Sequence, residues 1–325
     1  MNPYSVILGN LGNTCDRFLS TGYKEPLDKA LMVRQAASIP GVKGIELVGT
    51  WDIDERNVLE MKKLLGDAGL RCASIIPDVF GQKKWGRGSF TSRDAAIRAD
   101  AVATTKAMVD VAVELGCGLV NLWPGQDGYD YALATDYIEE RSWLLSGLQE
   151  VAAYAEGKKV RLALEYKVKE PRNHSYLARA ADTLLVAAQC GEHVGITIDT
   201  GHAFMAGENV AEMIALLSLS GNRLFHLHCN DNHGAWDDDM IAGSVRLVEY
   251  FEMLYWLRRT GYAGWYSIDQ YPYREDGHGA VEASVLFIQR LEATLDRVGL
   301  AAVEALLAKR DPIATARFVR ERLLA

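Results

Sequence analysis

Eight short runs of β-forming, mostly apolar residues recur along the chain, and amphipathic stretches long enough for helices separate them. The runs are Tyr4 to Leu8, Val42 to Val48, Arg71 to Ile76, Gly118 to Trp123, Val160 to Glu165, His193 to Asp199, Arg223 to His228 and Gly264 to Asp269. Strand–helix alternation of this kind builds a parallel sheet, which either stays open or closes on itself. An open doubly wound sheet binds ligand at one switch point, usually over a glycine-rich turn. No G-x-G-x-x-G follows the first run, and polar clusters end five or more of the others. Only a closed barrel brings the C-terminal ends of many strands to one mouth. The expected fold is therefore α/β, a (β/α)8 TIM barrel.

The intervening helices are expected at Pro26 to Ala37, Glu55 to Ala68, Ser92 to Leu115, Tyr137 to Glu156, Tyr176 to Gln189, Val210 to Leu217, Val245 to Thr260 and Ala280 to Val298. Ser92 is a natural N-cap and Gly116 a natural stop for the third. Residues 1–298 make the barrel domain. Residues 299–325 have no barrel position left, yet Leu300, Val303, Leu306 and Leu307, then Ala314, Phe318 and Leu323, recur at helical spacing. This helical extension must cover either its own barrel or a neighbouring subunit, and a homo-oligomer (dimer or tetramer) is expected.

Composition removes several function classes. The formal net charge is −8 and no basic run occurs, whereas a protein that grips phosphate backbones carries a basic stripe, so no nucleic acid is expected as a partner. No apolar run approaches the ~18 residues of a membrane span, and Met1 to Ser5 does not read as a signal peptide. Cys15, Cys72, Cys117, Cys190 and Cys229 never stand in a C-x-x-C spacing, which argues against thiolate zinc and for a reducing, cytoplasmic setting.

The chemistry lies where apolar runs stop. Glu165 ends Leu162-Ala163-Leu164, with Lys167 two residues on, sharing its face if the strand continues. Asp199 ends Gly195-Ile196-Thr197-Ile198, and His202 follows past a glycine that would permit a tight turn. His226 and His228 alternate with Phe225 and Leu227; His228 is the better ligand and His226 reads as a hydrogen-bonded core histidine. Asp237 and Asp239 present two carboxylates to one side of an extended loop, where like charges repel unless a cation neutralises them. Asp269 ends the last run. Each feature alone has a plain reading: a solvated rim glutamate, a helix-capping aspartate, an acidic surface triplet. Together they form an oxygen- and imidazole-rich set suited to Mg²⁺ or Mn²⁺.

These residues resemble the xylose isomerase-like barrels, and the L-rhamnose isomerase branch most of all. The motif E-x-K-x-x-E-P stands as Glu165-Tyr166-Lys167-Val168-Lys169-Glu170-Pro171. Asp199 and His202 match an acid and a histidine three apart. His228-Cys229-Asn230-Asp231 followed by Asp237-Asp238-Asp239 matches H-x-N-D and D-x-D, and Asp269-Gln270 matches a terminal Asp-Gln. The likeness spans roughly Arg161 to Arg274. It implies two divalent metals per chain (Mn²⁺, Mg²⁺ or Co²⁺), one held by Glu165, Asp199, His228 and Asp269. The other would use Asp199 as a bridge with His202, Asp237 and Asp239. The family's early histidine, which helps open cyclic sugars, has no counterpart: no histidine precedes His174, and Asp78 stands near that place. Trp51, Trp85 and Trp123 are candidate pocket walls.

The implied activity is aldose–ketose isomerisation of an unphosphorylated sugar by a metal-assisted hydride shift, with Lys167, Glu165 and Asp269 as catalytic residues and Trp123, Asp78 and Trp51 contacting substrate. A ketose 3-epimerase using one metal and a carboxylate pair through an enediolate is the alternative. Such enzymes generally have Glu in place of Asp269 and lack D-x-D. A non-catalytic sugar-binding barrel gives no reason to keep Lys167 beside a metal cage. Endonuclease IV relatives share the barrel, but the acidic balance argues against DNA.

Overall fold

A computed structural model describes residues 2–323, and all eight runs form strands of one closed parallel barrel. They are β1 (Tyr4–Ile7), β2 (Val42–Val48), β3 (Arg71–Ile76), β4 (Leu119–Leu122), β5 (Arg161–Glu165), β6 (Val194–Asp199), β7 (Leu224–Cys229) and β8 (Tyr266–Ile268). Each strand pairs with its sequence neighbours, and β8 closes on β1 with Tyr266 opposite Tyr4. A two-residue antiparallel ribbon, Gly128–Tyr129 with His174–Ser175, ties the loops after β4 and β5 together.

The helices are α1 (Lys29–Ser38), α2 (Val58–Asp67), α3 (Ala95–Leu115), α4 (Tyr137–Gly157), α5 (Ala180–Cys190), α6 (Thr200–Met205), α7 (Val210–Leu219), α8 (Leu247–Thr260) and α9 (Gly277–Val298). Side-chain caps set most starts: Asp28, Asp94, Asp136, Asp199, Asn209 and Asp276 each accept a first-turn backbone N–H. At α3 the cap is Asp94 rather than Ser92, whose hydroxyl instead accepts the Asp94 N–H at 3.3 Å. Gly116 ends α3 in the left-handed region at φ 68°, as a glycine stop should. The short α6 has no counterpart among the expected helices. Among the described residues no helix is long and apolar enough to cross a membrane.

The extension forms α10 (Leu300–Lys309) and α11 (Pro312–Arg322), with Asp311 and Pro312 supplying cap and first turn. It packs on its own barrel: α10 lies against α8 and α9 with Val303 buried, and Phe318 of α11 meets Phe251 of α8.

Strand alternation divides the buried residues into two sets. Ile45, Leu47, Ile75, Val120, Leu162, Leu164, Ile196, Ile198, Leu227 and Ile268 belong to the apolar core shared with the helices. The opposite set is polar and equally buried: Ser5, Glu46, Ser74, Asn121, Thr197, His226 and Ser267. Branched aliphatics usually fill the layers inside such a barrel. Here, Ser5 apart, the interior is a hydrogen-bonded network that reaches up to the mouth.

Candidate metal centre

The parallel register lifts four ligand-capable side chains to one level. Glu165 ends β5, Asp199 ends β6 opposite His228 of β7, and Asp269 follows β8. Ligand atoms of Glu165, Asp199, His228 and Asp269 all lie within 4.8 Å of one another. His228 Nδ1 is 3.2 Å from Asp269 Oδ2, 3.5 Å from Glu165 Oε1 and 3.9 Å from Asp199 Oδ2. A second cluster within the same limit contains Asp199, His202 and Asp237. Its His202 Nδ1 is 3.9 Å from Asp199 Oδ1 and 3.3 Å from Glu165 Oε1, while Nε2 lies 3.0 Å from Asp237 Oδ2.

Asp199 belongs to both clusters because it is also a cap. Its Oδ1 accepts the His202 N–H at 2.8 Å, which starts α6 and turns the imidazole back over the barrel; Oδ2 accepts from the Asn230 amide at 2.8 Å. The capping and ligand readings of Asp199 are therefore compatible, and His202 is buried rather than a surface histidine. Gly201 serves a different purpose from the one anticipated, since its φ is not left-handed. A Cβ there would collide with Asn230 Oδ1 and press to 3.0 Å from Asp237 Oδ1. Only glycine lets the loop after β7 close onto α6.

That loop carries the acidic triplet. Asp237 is buried and Asp239 half-buried, and both line the mouth; Asp238 is spent accepting the His233 N–H. Asp239 adopts φ 48°, a left-handed conformation that aspartate tolerates better than most residues. Lys167 lies just past the end of β5, its Nζ 2.7 Å from Asp237 Oδ2 and 3.3 Å from Glu170 Oε2, over the Trp123 ring.

The donor set suits a cation. Among the described residues, His202 Nδ1, His228 Nδ1, Asp237 Oδ1 and Asp269 Oδ1 are all buried atoms without a hydrogen-bond partner, and they sit in the two clusters. Unsatisfied polar atoms cost about 1–3 kcal/mol each, so four in one place call for a ligand they share. The charges agree. Burial pushes the Asp199 carboxyl up; His202 opposes this, Asp237, Asp269 and Glu165 add to it, and it settles at about 7. Shielding from water and the neighbouring Asp237 raise Asp239 well above the carboxylate range. Burial would lift Glu165 too, but His228 and His202 outweigh it and hold the group at about 2. Burial disfavours charge on His202, yet Asp199 and Asp237 raise it to about 9. Carboxylates and imidazoles crowded so that both favour their protonated forms make a donor set that a divalent cation would suit.

The mouth encloses a cavity of about 200 Å³, smaller than the pockets of drug-sized ligands. Glu165, Lys167, His202, Asp237, Asp239 and Asp269 line its polar part. The other part is apolar: Ile7, Val48 and Ile76 end β1, β2 and β3, and Trp51, Phe80 and Trp123 form an aromatic wall with ring centroids 5.6 and 4.7 Å apart. Trp51 and Trp123 thus both line the cavity. Asp78 and Trp85 do not line the cavity. Asp78 is fully buried, its carboxylate accepting from Thr50 Oγ1, Gln82 Nε2 and the Gly81 N–H, while its carbonyl accepts from the Trp85 indole. Both are spent on folding their own loop. Four contributors have no signal in the sequence motifs. Phe80, Tyr271 and Tyr273 line the cavity, and Asn121 of β4 donates to Glu165 Oε2 at 2.7 Å while accepting from Thr197.

A family model described as "Xylose isomerase-like TIM barrel" matches residues 33–291. The chain is 30% identical over 286 residues to a xylose isomerase of Thermus thermophilus, covering 84% of this chain and 73% of that protein. Among solved structures it resembles an L-ribulose 3-epimerase (TM-score 0.70, 16% identity, 92% of this chain and 98% of that one). It also resembles a D-tagatose 3-epimerase-like protein (TM-score 0.67, 20% identity, 91% and 100%). These relatives are a xylose isomerase and 3-epimerases rather than L-rhamnose isomerases. The family expectation stands, and the branch within it does not follow.

Proposed function

The chain belongs to the xylose isomerase-like TIM-barrel family, and on that premise we propose that it is a metal-dependent aldose–ketose isomerase acting on an unphosphorylated sugar. One observation carries the reading: Asp199 takes part in two adjoining ligand clusters, with Lys167 beside the second. Glu165, Asp199, His228 and Asp269 would hold one divalent cation, and Asp199, His202 and Asp237, with Asp239 alongside, another. Such cations, when bound, supply Lewis-acid polarisation of a carbonyl.

The chain's own residues divide the remaining work. The aromatic wall would pack the carbon face of an extended sugar against the ligands and exclude water. Lys167, kept charged by Asp237 despite its burial, would stabilise negative charge growing on the carbonyl oxygen. Lining carboxylates Glu165, Asp237, Asp239 and Asp269 outnumber the one lining lysine, which Asp237 and Glu170 already neutralise. A sugar phosphate would meet repulsion, which supports an unphosphorylated substrate. Lys167→Met is expected to lower kcat about 10²–10³-fold. Binding at the first cluster should be unchanged, since Lys167 makes no ion pair with its four ligands. Steady-state rates beside Mn²⁺ titration would check this.

A second reading, ketose 3-epimerisation with one cation, is favoured by a specific contact. Lys167 and His202 already flank Asp237 at 2.7 and 3.0 Å and could neutralise it without a second ion. Glu165 and Asp269 would then serve as the acid–base pair across an enediolate. Turnover in D₂O separates the two. A hydride shift leaves the product carbon free of solvent deuterium, which is the expected result with pentoses, hexoses or deoxyhexoses and Mn²⁺, Mg²⁺ or Co²⁺. Deuterium at carbon would replace isomerisation with the enediolate route.

A further inference from the structure

One layer below the cage, Glu46 of β2 is fully buried in the barrel interior, and among the described residues no lysine or arginine pairs with it. Four donors meet on its carboxylate. The hydroxyls of Ser74 on β3 and Ser267 on β8 each donate to it. From the far side of the barrel, His226 Nε2 lies 2.9 Å from Oε1 and His228 Nε2 lies 3.3 Å from Oε2. The separations in sequence, 180 and 182 residues for the two histidines, show that no local pattern places this group.

We propose that Glu46 is a positioning residue that holds His228 in the Nε2–H form and so turns its Nδ1 lone pair into the Glu165–Asp199–Asp269 cage. The inference rests on the metal-dependent reading above. Its logic is that of donors and acceptors. An ionised carboxylate only accepts, so the imidazole nitrogen facing Glu46 must carry the proton. A neutral imidazole has one N–H, and its other nitrogen is then a bare acceptor. That other nitrogen, Nδ1, is a buried atom without a hydrogen-bond partner among the described residues and stands 3.2–3.9 Å from three carboxylate oxygens of the cage. Once ionised, those carboxylates cannot donate to it, so a cation is the partner this form suits. Carboxylate–histidine–metal relays of this kind fix both ring orientation and tautomer. Ser74 and Ser267 complete the device by saturating the carboxylate from two more strands, which prevents it from rotating away. Glu46, His226 and His228 also place ligand atoms within 4.8 Å of one another. The two hydroxyls donating to the same carboxylate identify it as a hydrogen-bond acceptor rather than a third cation site.

Glu46→Gln tests this, because an amide presents an N–H₂ to one of the two imidazoles at unchanged volume. Calorimetric titration of metal-free protein with Mn²⁺ is expected to show affinity about 10–100-fold weaker than wild type. Wild-type protein labelled with ¹⁵N-histidine and loaded with diamagnetic Mg²⁺ supplies a readout independent of the variant's folding. Two-bond ¹H–¹⁵N spectra should show the His228 proton on Nε2. Affinity in Glu46→Gln within twofold of wild type, or a proton on Nδ1 of His228, would overturn the role of Glu46 alone. Wild-type protein that binds no Mn²⁺ would overturn the metal-dependent reading and this role with it.

Discussion

Asp199→Asn is expected to weaken divalent-cation binding at least about 100-fold and to lower turnover about 10²–10⁴-fold, while leaving the metal-free protein as stable as wild type or more so. The three effects separate because Asp199 does three things. As a proposed ligand it belongs to both clusters, so its loss should damage each of them. As a helix cap it accepts the His202 N–H, and asparagine caps about as well as aspartate, so α6 should survive. As a charge it is disfavoured in the metal-free protein, since burial and three neighbouring carboxylates push it up to about 7 against the pull of His202. Removing that charge relieves repulsion. The new amide cannot satisfy both Asn230 and His202 with oxygen, which limits the gain. Equilibrium dialysis with Mn²⁺ and thermal unfolding with chelator present would check both halves. Wild-type affinity in the variant would mean that no cation binds at Asp199. A metal-free protein several degrees less stable would mean that the carboxylate is structural.

How much of this was legible in the sequence depends on the distance over which each feature is decided. The barrel was legible because strand and helix periods are local, and because each run ends where polar chemistry starts. Helix starts differ by a few residues from the sequence expectation where several capping types crowd together, as with Ser92 and Asp94 before α3. The clustering of the candidate ligands was legible because they stand at or just past the ends of β5 to β8, on consecutive strands. The apolar half of the mouth could not. Ile7, Val48 and Ile76 are indistinguishable from core residues until the barrel closes. This asymmetry also explains why the motif likeness is confined to Arg161 to Arg274: the first half of the chain provides the wall and the second the candidate ligands. Asp78 is expected at the pocket only because it stands near the place of the family's early histidine, but its loop folds back and uses its carboxylate. Glu46 left one trace, a charge inside the apolar run Ile45-Glu46-Leu47-Val48 with no cation nearby on the same strand face. A buried acid of that kind implies partners on other strands, and only closure supplies them.

The metal-free protein should lose stability as pH rises from about 4 to 9, and Mn²⁺ should restore it most at the alkaline end. Two groups set the direction. Asp199 has a folded pKa of about 7 against an ordinary value of 3.8, so the folded state binds that proton more tightly than the unfolded one does. Its contribution is complete below 3.8 and disappears as pH climbs through 7. His202, raised from 6.5 to about 9, behaves alike: complete below 6.5, gone above 9. Glu165 works in reverse. Its value of about 2 against 4.5 gives stability above 4.5 that is lost only in strong acid, so it does not mask the trend. A tenfold difference in proton affinity between folded and unfolded chains is worth about 1.4 kcal/mol, so the two groups together set a decline of at most about 8 kcal/mol, roughly ten degrees of Tm. A cation needs these same ligands deprotonated, so its binding competes with protons and strengthens with pH. Mn²⁺ at about 100 times its dissociation constant adds about 2.7 kcal/mol. The Tm gain it produces should therefore be small near pH ~5 and several degrees near pH ~8. Unfolding scans of chelator-treated protein with and without Mn²⁺ across that range would check it. An Mn²⁺ effect of equal size at both ends would place the ion away from Asp199 and His202, because a cation bound there must displace their protons.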